Sequence, residues 1–145
     1  AGGGRHWIYG FLSDTLTGRD RANYNDGNPS YVNPLGLTTS PRTSPVGWFN
    51  GVNVSPNGNV ATVDSPSPVG AYDMSGNVQE WCQDWFSATY YSDGPLTNPA
   101  GPATGANRIY RGGNWALSSS YCRTACRVSA IPTFADPGFR LARSD

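Results

Sequence analysis

The chain of 145 residues contains no lysine, a single histidine (His6), a single glutamate (Glu80) and only three cysteines. Without lysine there is no phosphate-loop lysine, no Schiff base, no pyridoxal-phosphate anchor and no kinase strand lysine. One histidine and three cysteines, with no C-x-x-C or H-x-x-x-H spacing, cannot close a standard structural zinc site. A Ser-His-Asp triad would depend on His6 alone, and no G-x-S-x-G seats its nucleophile. Net charge is formally zero and the pI about 6.8, so neither nucleic acid nor an anionic membrane is expected as a partner. No apolar run approaches the ~20 residues of a spanning helix. No signal peptide is visible, and Ala1-Gly2-Gly3-Gly4-Arg5 does not read as a native N-terminus. The compartment stays open, a bacterial periplasmic or secreted setting included, and so does the oligomeric state.

What is present points to a folded, loop-rich domain. Eighteen glycines and twelve prolines argue against long helices, while aromatics at 12% against charged residues at 14% oppose disorder. His6 to Leu12 reads as a strand or packed turn. Residues 26–70 are rich in Asn, Gly, Pro, Ser and Thr, yet Val46, Trp48, Phe49, Val52 and Val54 are spread through them as anchors, so a long ordered loop is expected. Ser44-Pro45-Val46-Gly47 is echoed by Ser67-Pro68-Val69-Gly70, too briefly for a repeat fold. Ser75-Gly76-Asn77 signals a turn, Val78 to Cys82 a strand, and residues 108–115 a strand entering a Gly-Gly turn. Residues 121–129 alternate as a strand, and a short final strand is expected over 137–143.

Glu80 sits among Val78, Trp81, Cys82 and Trp85. A buried carboxylate needs a cation or several donors. Asp73, seven residues earlier across the turn, together with carbonyls of Gly76 and Val78, would give an oxygen-only set suited to Ca²⁺. The alternative is an ion pair between Glu80 and a C-terminal arginine. If 121–129 is extended, Cys122 and Cys126 are ~13 Å apart, too far for a disulfide. A bridge from Cys82 to one of them, or three thiols packed as small hydrophobes, remains. Arg111-Gly112-Gly113 is a lone echo of RNA-binding repeats, and structural arginine is the plainer reading. Trp115, followed by Ser118-Ser119-Ser120-Tyr121, has the polar and aromatic character of a binding surface, with a solvated loop as the alternative. Asn53-Val54-Ser55 matches a glycosylation sequon.

Three segments taken together resemble one family: Gly70-Ala71-Tyr72-Asp73-Met74-Ser75-Gly76-Asn77-Val78-Gln79-Glu80-Trp81, Arg111-Gly112-Gly113-Asn114-Trp115 and Gly138-Phe139-Arg140-Leu141-Ala142. In this order they are similar to the signatures of the formylglycine-generating enzyme (sulfatase-modifying factor) family, and Ala22-Asn23-Tyr24 and Tyr121-Cys122-Arg123 follow its style. The resemblance implies an α+β, C-type-lectin-like fold with little regular secondary structure and long ordered loops. It implies a single domain over residues 1–145 that lacks the family's N-terminal part, Ala1 to Gly4 resembling the tail of a motif in that part. It also implies two functional sets. The family's oxidases turn a sulfatase cysteine into formylglycine with oxygen and copper held by two cysteines. Aligned on Gly112-Gly113, one copper cysteine falls on Cys122 and the other on Leu117, which cannot ligate Cu(I); the serine after the glycines is Asn114, and a tryptophan is Gln79. Copper is therefore doubtful, Cys122 being the one catalytic candidate that carries over. The calcium positions carry over better, as Asp73, Gly76, Val78 and Glu80, with Asn23 and Tyr24 matching part of a second site.

Variable proteins of diversity-generating retroelements share the fold and diversify a window that here includes Ala116, Leu117, Ser118, Ser119, Ser120, Tyr121, Thr124, Val128, Ile131 and Thr133. Three functions follow: a domain without the oxidase chemistry acting in binding or an accessory role, with a protein or peptide ligand; a ligand-binding variable protein; or an active oxidase.

Overall fold

The computed structural model describes residues 7–27, 35–56, 58–93, 97, 101–134 and 137–141. His6, Ala1 to Gly4, Ala142 and Arg143 lie outside them. The chain divides into two compact units, one of residues 1–78 with 112–126 and one of residues 79–111 with 127–145. Among the described residues no helix is long and apolar enough to cross a membrane.

The first unit is almost entirely loop. A small core of Tyr9, Phe11, Leu16, Ala22, Tyr24 and Cys122 forms where the packed turn around Tyr9 stacks its ring on Phe11, 5.7 Å between centroids. The long Asn- and Pro-rich stretch is ordered by single backbone bonds rather than ladders: Val63 N donates to Asp20 O, Ser65 N to Phe49 O and Thr62 N to Asn53 O, at 2.8–3.0 Å. Of its expected anchors, Phe49 is buried, whereas Val46 and Val52 are more than three-quarters exposed. Val46 and its echo Val69 instead sit on tight turns, each followed by a glycine of positive φ, with closing bonds that differ by one residue: Trp48 N donates to Pro45 O and Gly70 N to Ser67 O.

Loops that do not pair along their length must satisfy buried backbone groups one at a time. Asn77 meets much of that demand. Its side chain accepts from Ser44 N (2.8 Å) and donates to Ser44 O (3.1 Å), its N–H donates to Asn23 O (2.7 Å), and its carbonyl accepts from Trp115 N (3.1 Å). It does so at φ +63°, a left-handed conformation that asparagine tolerates better than most residues. Its neighbour Gly76 (φ +78°) could carry no side chain, since a Cβ would lie 2.4 Å from Asn23 O.

The second unit holds a three-stranded antiparallel sheet in the order β1 (Glu80–Trp85), β2 (Arg108–Arg111), β3 (Val128–Ala130). Glu80 faces Arg111 and Trp81 faces Tyr110, then the register shifts before Trp85 reaches Arg108. Ile109 is fully buried, and the Tyr110 ring meets Trp81 edge-on at 5.5 Å. Gly138 bonds to both sides of Glu80: Trp81 N donates to Gly138 O and Gly138 N to Gln79 O. The expected final strand is, among the described residues, this one parallel bridge.

The alternation over 121–129 does not make a strand. Ser119–Cys122 is a 3-10 turn, Cys126 N closes a further turn on Arg123 O, and extended pairing begins only at Val128. The backbone closes on itself locally instead, Tyr121 N donating to Ser118 O at 3.0 Å, so these groups are not left for a ladder. The ~13 Å separation expected of an extended Cys122–Cys126 pair therefore does not apply.

Removing the Asn77 side chain would strand the buried N–H and C=O of Ser44. Asn77→Ala is expected to cost about 2–4 kcal/mol by denaturant titration, and Asn77→Gly about 1 kcal/mol less, because glycine adopts the positive φ freely. Gly destabilising more than Ala would refute this account.

Candidate functional site

The loop from Asn114 to Cys122 follows two glycines that let it lie against its neighbours. At Gly113 (φ +68°) a Cβ would come within 2.7 Å of Cys122 Sγ. Main-chain atoms then fix the loop. Trp115 N donates to Asn77 O, Leu117 N to Asn114 O and Asn25 N to Leu117 O, at 2.9–3.1 Å, and the Asn114 side chain accepts from Ala116 N. The Arg42 guanidinium lies 5.8 Å from the centre of the half-buried Trp115 ring, a cation–π contact. Ser118, Ser120 and Tyr121 are exposed, while Leu117 and Ser119 are half-buried. Trp115 is thus partly a packing residue, and the accessible chemistry is hydroxyl and phenol. Sequence reasoning missed Arg42 and Asn77 as supports of this loop. The signal for Asn77 was its place in a Ser-Gly-Asn turn; for Arg42 there was none.

Cys122 Sγ is buried, 3.8 Å from Ser118 O. Burial above all, and then the nearby Cys126, push its thiol up to about 12, so it stays protonated at neutral pH. Leu117 offers no donor atom. One neutral thiol and an alkyl chain do not fit the two-thiolate requirement of Cu(I). Cys82, in the second unit, is half-buried and its thiol is likewise raised, chiefly by burial, with Arg111 acting in the opposite direction. All three cysteines are free, so the bridge entertained for Cys82 is not formed.

Of the calcium candidates, Asp73, Gly76 and Val78 belong to the first unit and Glu80 to the second. Asp73, at φ +58°, accepts from Gly47 N through Oδ2 at 2.7 Å. A carboxylate and the carbonyls of Gly76 and Val78 are hard oxygen donors of the kind Ca²⁺ prefers. Glu80 takes the other course the sequence allowed: Arg140 clamps both of its oxygens, at 2.9 and 2.7 Å. A cation at Glu80 would compete with this guanidinium. Asn23 is fully buried, its side chain donating to Arg42 O, and the Tyr24 hydroxyl donates to Leu16 O at 3.3 Å. Among the described residues no three His, Cys, Asp or Glu side chains converge.

Comparison with known proteins gives a consistent picture. The model of the sulfatase-modifying factor enzyme 1-like domain matches residues 1–145. The formylglycine-generating enzyme of Streptomyces coelicolor is 42% identical over 105 residues, 66% of this chain and 33% of that protein. The serine/threonine-protein kinase pkn1 of Chlamydia pneumoniae is 42% identical over 83 residues, 54% of this chain and 13% of that protein. Among solved structures, PvdO from Pseudomonas aeruginosa has a TM-score of 0.50 at 23% identity, covering 79% of this chain and 35% of that one. Treponema denticola variable protein 1 has a TM-score of 0.47 at 36% identity, covering 63% and 34%. The chain spans a third or less of the length of these curated relatives.

Two core groups make the fold sensitive to alkali. Cys122 rises from 9.0 to about 12, and Tyr24 from 10.0 to about 12, burial being the first cause for each. Both are favoured in the neutral form when folded, so their contribution is intact below about pH 9 and is lost as pH rises toward 12. Each group lowers stability by about 1.4 kcal/mol per pH unit within its window. Alkaline unfolding curves should show this slope, and Cys122→Ala should flatten it from pH 9 upward. An unchanged slope in that variant would refute the assignment.

Proposed function

The chain belongs to the sulfatase-modifying factor enzyme 1-like domain family, and from that membership we propose that it is a recognition domain that does not carry out copper-dependent cysteine oxidation. Its α+β, C-type-lectin-like fold, with little regular structure and long ordered loops, is used to present residues 115–121. The observation that carries this reading is the pairing of Leu117, which has no donor, with a single buried thiol at Cys122. The oxidation needs two sulfur ligands for copper, and with Leu117 at one of the two positions this loop supplies Cys122 alone. What it does supply is exposed hydroxyls on Ser118 and Ser120 and the ring of Tyr121, which give adaptable hydrogen bonds and contact area at low entropic cost.

The test is oxygen uptake with copper and a cysteine-containing sulfatase peptide, alongside Cu(I) competition titration. The expected outcome is no copper-dependent uptake and a Cu(I) affinity that Cys122→Ser leaves unchanged. Tight Cu(I) binding lost in that variant would overturn the reading.

Calcium is part of the same proposal. Ca²⁺ bound by Asp73 with the carbonyls of Gly76 and Val78 would brace the turn that positions Asn77. At about 100-fold over its dissociation constant it would add ~2.7 kcal/mol. Melting curves should shift upward with Ca²⁺ and return with chelator, and Asp73→Asn should remove the gain, asparagine being compatible with the positive φ there. A melting temperature indifferent to Ca²⁺, or a gain that survives Asp73→Asn, would refute it.

A further inference from the structure

The first unit contains a cleft of about 400 Å³, walled by Thr17, Asn25 and Asp26 on one chain segment and by Ser118 and Ser119 on another, with Tyr24 also lining it. The walls are tied together. Asn25 N donates to Leu117 O at 2.9 Å, its side chain reaches Ala116 O, and its Oδ1 accepts from Gly27 N. A ligand would therefore meet a preformed cavity, with little ordering left to do.

Its charge balance narrows the ligand. Both Nε and Nη2 of Arg19 lie 2.8 Å from Oδ2 of Asp26, so the acidic wall carries its own counter-ion. Neither a free anion nor a free cation is selected. Tyr24 is held neutral by burial and by the Asp26 charge, its phenol standing at about 12. The remaining lining residues are Thr17, Ser118 and Ser119, whose hydroxyls each donate and accept, with the Asn25 amide, Gly27 and the aliphatic Leu16. The complement of such a surface is a neutral molecule whose own groups also do both. Asp26 and Asn25, adjacent on one wall, set a planar acceptor beside a planar amide that both donates and accepts, an arrangement that suits adjacent hydroxyls on a ring. The volume lies at the small end of the ~300–1,000 Å³ range of ligand sites, enough for one ring rather than a chain.

We propose that this cleft binds one neutral polyhydroxylated ring, the chemistry of a single monosaccharide unit, free or at the end of a glycan. The proposal rests on the reading of residues 115–121 as a recognition surface, since Ser118 and Ser119 belong to both.

Saturation-transfer NMR on the whole chain tests it, with glucose, galactose, mannose and N-acetylglucosamine as probes, each also as its methyl glycoside, and N-acetylglycinamide as an amide control. Transfer to at least one sugar and none to the amide is expected. Binding of methyl glycosides identifies a glycan end as the source, and binding of reducing sugars alone identifies the free ring. Asp26→Asn should weaken binding about tenfold by removing charge-assisted bonds. Ser119→Trp, which fills the cleft without touching the ion pair, should abolish it, and Val46→Ser on an exposed turn should not change it. Melting curves confirm that each variant is folded. The proposal fails if no sugar receives transfer, if transfer survives Ser119→Trp, or if the amide binds instead, which would mark a peptide site. Copper-dependent oxygen uptake would overturn the recognition reading without altering these titrations, so the two failures are distinguishable.

Discussion

The first unit depends on Asn77. With so few ladders, each buried peptide group must find its own partner, and this one residue satisfies groups on three separate loops using its two backbone and two side-chain positions. Its left-handed backbone is the geometric condition for reaching all of them at once, and the absence of a side chain at Gly76 is what lets Asn23 approach. The 114–121 loop is downstream of this arrangement, because Trp115 takes its position from the Asn77 carbonyl.

The choice of arginine as the only lysine-like cation has a structural counterpart. Within the first unit Arg19 holds Asp26 and Arg42 lies over Trp115; within the second Arg140 clamps Glu80, Arg108 stacks 3.6 Å from the Trp85 ring and Arg127 sits over Tyr91. A planar, delocalised guanidinium can fork onto a carboxylate or lie flat on an aromatic face, and an ammonium does neither as well. In a chain poor in aliphatic core, these contacts let long side chains cover aromatic surface that would otherwise face water. Glu80 and Arg140 show the same economy: one clamp neutralises the single glutamate beside the bridge that Gly138 makes to β1.

The sequence revealed the family and the fold because its signatures are short, ordered and spread over the whole chain. It also located β2 and the Gly-Gly turn, where β-branched and aromatic residues run into glycine. It misread 121–129, since turns of three and four residues can imitate the alternation of a strand. For Glu80 it correctly demanded a partner but left cation and guanidinium equivalent, because spacing says nothing about which of six C-terminal arginines will reach it. The cleft beside Asp26 was invisible for the same reason: its walls are some ninety residues apart, joined by Asn25 to Leu117.

The way the 114–121 loop is anchored has a consequence for how freely it can change. Its place is set by the peptide groups of Trp115, Leu117 and Tyr121 and by the carbonyls of Ala116 and Leu117. The outward side chains at 118, 120 and 121 carry little of that burden. A loop held by its backbone can exchange those side chains for others of any chemistry while keeping its path, so selection can rewrite the chemistry of that surface without renegotiating the fold beneath it. The same property makes these positions a natural place to build a combinatorial library, with Asn25, Asn77 and Asn114 left untouched as the frame.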